Sequence, residues 1–191
     1  MPYPPHDGGA IAMFDVLNGL TKAGNEVTVF TINTPKHHQP ITVLDGKCKN
    51  VIAVDVDTKI NPLKAFLNLF SKTPYNFERF INPKVEAELQ KVIKNEKFDV
   101  IQVEGAQVAY YVEIIKKVTK TPVVMRAHNV ESKIWERLAK QEINPLKKWY
   151  LNYLSNGIDW YEKKYLSQFD KIIAITERDK QVFQSKGIKN N

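Results

Sequence analysis

Five short apolar runs, each turning polar at its end and each followed by helical periodicity, constrain this chain more than any other feature. They are Glu26–Ile32, Val51–Val56, Phe98–Gly105, the run that starts at Val123 and turns polar at Arg126, and Lys171–Thr176. Runs of this length, rich in Val and Ile, read as strands. Strands alternating with helices imply an α/β fold: a doubly wound, Rossmann-like, mostly parallel sheet with helices on both faces. At 191 residues and 43% hydrophobic content, one domain with one good core is expected.

The segments between the runs carry the helices. Tyr3–Ala10 holds two prolines and two glycines in close succession and reads as a loop, after which Ile11, Phe14, Leu17 and Leu20 recur at helical spacing up to a glycine cap at Gly24. Thr34–Lys49 reads as a loop with a short extended piece at Ile41–Leu44, and Ser71–Pro83 as irregular and aromatic. Helices are expected through Leu63, Phe66, Leu67 and Phe70, over Lys84–Lys94 and over Val108–Val118. A long helical region over Ser132–Ser167 should break near Asn144-Pro145 and weaken at Asn156-Gly157, and a last helix over Glu177–Lys186 ends at Gly187.

In open parallel sheets ligands bind beyond the carboxyl ends of the strands. Arg126, His128, Asn129 and Glu131 fall in one such turn, Glu104 ends the neighbouring strand, and Glu177 follows a third. His128 can both donate and accept hydrogen bonds, which suits holding a hydroxyl, although a lone histidine also serves structure. Arg126 suits an anionic ligand or a pair with Glu131; Asn129 suits a hydroxyl contact or an ordinary turn; Glu131 also favours the helix it opens. Gly8 and Gly9 would let a phosphate approach backbone N–H groups at a helix start, or would simply form a turn.

The net charge is +7, and residues 133–191 carry 12 Lys/Arg against 7 Asp/Glu. That bias favours anionic partners without choosing among nucleotides, lipid head groups and nucleic acid. A nucleic-acid role ranks last, because neither a recognition helix nor a stacking motif is evident. One cysteine, Cys48, suits a reducing cytoplasmic setting and gives no metal site, and His37-His38 lack ligands at metal spacing. No apolar run approaches the length of a membrane span, and the first residues lack a secretory pattern. Leu63–Phe70, and the aromatics from Trp135 to Tyr165 interleaved with Lys147, Lys148, Lys163 and Lys164, suit either peripheral membrane contact or packing onto the sheet.

Four motifs in order, Tyr-Pro-Pro-x-Asp-Gly-Gly-Ala, Gly-Asn-Glu-Val-Thr-Val, Arg-Ala-His-Asn-Val-Glu and Ile-Ile-Ala-Ile-Thr-Glu-Arg-Asp, span nearly the whole chain. Together they resemble the N-terminal, acceptor-side domain of family 4 glycosyltransferases of the GT-B fold, without its first strand and without the C-terminal domain. The resemblance implies transfer, with retention, from a nucleotide-diphosphate sugar to a glycan or lipid-linked hydroxyl, with no metal or other cofactor. It implies that His128 is catalytic, that Gly8 and Gly9 bind the donor diphosphate, and that Asp7 and Glu177 border the interdomain cleft. Glu104, Arg126, Asn129 and Glu131 become acceptor contacts. A single half of such an enzyme is expected to show little or no turnover. Lacking a central strand, it is expected to self-associate through bare edges near Val27 and Val100. The competing reading is a non-catalytic doubly wound module that binds an anionic ligand or a membrane surface.

Overall fold

A computed structural model describes residues 1–5, 7–36 and 38–188. His6, His37 and the closing Lys189, Asn190 and Asn191 lie outside the described residues. The chain is α/β, with all of its described strand pairs parallel. It divides into two compact units, residues 1–59 with 82–89, and residues 60–81 with 90–191.

In the first unit, helix α1 (Gly8–Lys22) leads to β1 (Thr28–Asn33), and β2 (Asn50–Asp55) pairs with it in register Thr28 to Asn50. The helix begins two residues earlier than the spacing of its apolar residues suggests. Asp7 is the reason: its Oδ1 accepts the Ala10 N–H at 2.8 Å, so the chain can enter the helix through two glycines. Gly24, at φ +85°, ends it as expected. Ile41–Leu44 is a 3₁₀ turn rather than an extended piece, and it buries Leu44 completely. At the end of β1, Asn33 is 4% exposed and exchanges two hydrogen bonds with the Gln39 backbone (2.8 and 3.2 Å). His38 lies 3.4 Å from Asp55, both on the surface.

The second unit holds the three-stranded sheet β3 (Ile101–Glu104), β4 (Val123–Ala127) and β5 (Lys171–Ala174), in that order. Its helices are α2 (Pro62–Leu67), α3 (Tyr75–Glu78), the later part of α4 (Pro83–Asn95), α5 (Tyr111–Val118), α6 (Glu131–Gln141), α7 (Pro145–Leu166) and α8 (Glu177–Ser185). The middle strand, β4, buries Val123, Met125 and Ala127 almost fully. Parallel register sets Glu104 beside Arg126, and Ala127 beside Ala174, so three strands end at one rim. The five strands therefore form two hydrogen-bonded sheets, β1–β2 and β3–β4–β5, rather than one. Among the described residues β1 and β3 each pair on one side only.

Helices α6 and α7 form an antiparallel hairpin closed by Glu142, Ile143 and Asn144, as the Asn-Pro break requires. The expected weak point at Gly157 is absent, and α7 runs unbroken through it. A side chain there would come within 2.9 Å of the Pro74 ring, so the glycine serves a close approach rather than a bend. Ser71–Pro83 is likewise less irregular than its composition suggests. Helix α3 inserts Phe77, fully buried, against Tyr161 with ring centroids 4.8 Å apart. Among the described residues no helix is long and apolar enough to cross a membrane.

Candidate functional site

The rim of the three-stranded sheet gathers most of the residues singled out from sequence. Glu104, the last residue of β3, points its carboxylate at three side chains. His128 Nε2 lies 2.6 Å from Oε2, Arg126 NH1 3.2 Å from the same oxygen, and Gln102 Nε2 2.5 Å from Oε1. The side chains of Arg126, His128 and Glu104 are 16%, 17% and 21% exposed, enough to meet a ligand yet shielded enough to strengthen the pairing. Which ring nitrogen of His128 carries the proton depends on the tautomer; with Oε2 at Nε2, the neutral ring donates there and leaves Nδ1 as acceptor. Arg126 pairs with Glu104.

Glu131 opens α6 beside this cluster. Burial raises its carboxyl above the ordinary carboxylate range, and the nearby Glu162 carboxylate raises it further. Hydrogen bonds from Gln107 and Asn129, and the proximity of His128, act in the opposite direction. Gly105, at φ +84°, makes this possible: a Cβ there would lie 2.9 Å from Gln107 Oε1.

The raised Glu131 value sets a pH dependence. The folded state favours the protonated carboxyl, so this contribution is fully present below the ordinary carboxylate pKa and is lost as pH rises through the raised value. Glu131→Gln is therefore expected to be more stable than the parent at neutral pH, with the advantage vanishing near about pH 4. Urea midpoints of both proteins at the two pH values test this. An advantage equal at both would refute it.

Beneath the rim lies a set of residues that sequence reading did not single out. Val130, the residue before α6, offers no capping side chain. Glu162 of α7, 0% exposed, does so instead: its Oε1 accepts the Glu131 N–H at 2.7 Å, and its Oε2 accepts the Ser132 hydroxyl at 2.7 Å. Lys186, after α8, reaches Glu162 Oε2 and Ser132 Oγ at 2.5 Å each and Asp159 at 2.9 Å. The signal was present in the sequence: Glu162 falls on the stripe Ile158, Tyr161 and Tyr165 that α7 buries, and a carboxylate on such a stripe must find partners.

Glu177 does not join the cluster. It is the first residue of α8, exposed, with Lys180 3.6 Å away. Asp7, Gly8 and Gly9 form the start of α1 in the first unit, where Asp7 is the cap and a Cβ on Gly8 would meet no atom within 4 Å. Neither packing nor backbone angle requires glycine at position 8.

Comparison with known sequences bears on the family to which the chain is similar. Residues 6–191 match the profile of Glycosyltransferase Family 4. A curated relative described as an uncharacterized 44.6 kDa protein in the cps region of Klebsiella pneumoniae is 26% identical over 194 residues. The match covers 98% of this chain and 46% of that protein, so the chain spans about half the length of the relative.

Proposed function

We propose, from the premise that this chain belongs to glycosyltransferase family 4, that it is the acceptor-side part of an enzyme that moves a sugar from a nucleoside diphosphate to a hydroxyl, with retention. The acceptor is a glycan or a lipid-linked sugar. The observation that carries this reading is the family match over residues 6–191, which takes in both the glycine-opened helix and the histidine-bearing rim.

Transfer breaks the bond from the anomeric carbon to the diphosphate oxygen, which leaves with the electron pair, and forms a bond to the acceptor oxygen, whose proton passes to the departing diphosphate. The α1 start suits the first demand: first-turn N–H groups lack acceptors within the helix, and the helix dipole favours an anion there. Gly8 and Gly9 carry the donor diphosphate in this reading, with no metal needed, and Asp7 fixes the turn that presents them. His128 holds the transferred sugar beside the acceptor, and Glu104 fixes the ring that does so. Arg126, Asn129 and Glu131 line the acceptor side. Glu177 borders the cleft toward the donor half.

The test is turnover of a panel of nucleotide sugars with glycan and lipid-linked acceptors. The polypeptide that carries this sequence in the cell should transfer a sugar, with EDTA present or absent. The 191-residue chain assayed alone should show little or none. Absence of transfer from every donor by the cellular protein would overturn the reading.

A further inference from the structure

We propose that α2 with the 3₁₀ turn that follows it, together with the start of α7, is a contact surface for an anionic lipid bilayer. The periodicity of Leu63, Phe66, Leu67 and Phe70 is that of a helix face buried in a core. The fold turns this face the other way: the four side chains are 67%, 60%, 57% and 85% exposed. What the segment buries is polar, namely Asn68, 6% exposed, which donates to the Thr73 carbonyl at 2.9 Å and bonds to Glu78. An apolar face presented to water and held by a buried asparagine has the organisation of an interfacial helix rather than of a core helix.

The start of α7 continues the surface. The Tyr153 hydroxyl lies 3.2, 3.0 and 3.1 Å from the carbonyls of Asn68, Leu69 and Ser71, and its ring stacks 6.2 Å from Trp149. Trp149 and Leu146 are 57% and 74% exposed. An indole beside aliphatic groups and lysines suits the head-group region of a membrane.

Charge selects the partner. Residues 60–74 and 143–158 carry Lys64, Lys72, Lys147 and Lys148 and no carboxylate. Of these, Lys147 reaches back to Glu142 at 2.5 Å. A protein partner of ordinary charge would meet a net positive, aromatic rim, whereas anionic head groups complement it. This surface deepens the transferase reading only by giving a lipid-linked acceptor a place to be met, and it rests on none of that reading's chemistry.

The test uses the described chain and vesicles of phosphatidylcholine with and without phosphatidylglycerol, with no sugar donor present. Sedimentation should show binding to the anionic vesicles, weakened by salt, and little binding to the neutral ones. Phe66→Ser with Phe70→Ser should weaken it about ten-fold or more, and Lys64→Glu with Lys72→Glu should abolish the preference for anionic lipid. All four side chains sit on exposed positions, and circular dichroism verifies that the variants fold. No binding, equal binding to neutral vesicles, or unaltered binding by both variants would overturn the proposal. So would light scattering that shows a dimer dissociated by the phenylalanine substitutions, because a second copy would then cover the face. Any of these failures leaves the sugar-transfer assay untouched.

Discussion

Glu162→Ala is expected to destabilise the chain by about 3–5 kcal/mol. The reason is the number of groups that depend on one buried carboxylate. Its removal leaves the first N–H groups of α6 without an acceptor, since Val130 offers none. It strands the Ser132 hydroxyl and takes the closest counter-charge from Lys186, whose side chain is 6% exposed. Asp159, 2.9 Å from Lys186, compensates in part and keeps the loss from being larger. The cycle with Lys186→Met separates pairing from packing: the double variant should be less destabilised than the sum of the two single ones, because neither charge is then left buried alone. Urea unfolding followed by tryptophan fluorescence measures all four proteins. Strict additivity would show that Glu162 and Lys186 do not act as a unit.

That network also marks the limit of what the sequence disclosed. The five strands were legible because each is a short run of β-branched residues, and the α6–α7 break because Asn144-Pro145 cannot continue a helix and starts the next one well. The rim was legible too, since parallel strands must end together, and Glu104, Arg126 and His128 stand at those ends. Three features were not fixed by periodicity, because each depends on which side chains meet once the segments are folded. Gly157 looks like a helix weakness until Pro74 is placed against it. Leu63 and Phe70 suit a core or a membrane surface equally until Asn68 is found to be the buried side. Glu104 stands at a strand end in the sequence, but that Gln102, Arg126 and His128 converge on its two oxygens follows only from the fold. Periodicity says which residues share a face; it does not say which face the rest of the chain will cover.

The convergence on Glu104 makes a second large effect expected, on activity rather than stability. His128→Ala, made in the polypeptide that carries this sequence in the cell, should lower kcat/KM for transfer about a hundred-fold or more. The ring is mostly buried at the rim with one nitrogen committed to a carboxylate at 2.6 Å, which leaves the other for a sugar hydroxyl. Glu104→Gln then distinguishes two roles for the carboxylate. If Glu104 acts through the imidazole, the amide should reduce kcat about ten-fold while the acceptor KM stays near its parent value, and it should add nothing in the His128→Ala background. If Glu104 itself holds the acceptor, the acceptor KM should rise and the two substitutions should combine additively. The geometry favours the first outcome, because a carboxylate that already accepts from an imidazole, a guanidinium and an amide has little capacity left for a hydroxyl. A His128→Ala enzyme with unaltered kcat/KM would remove the imidazole from the mechanism and leave Glu104 with a purely architectural task.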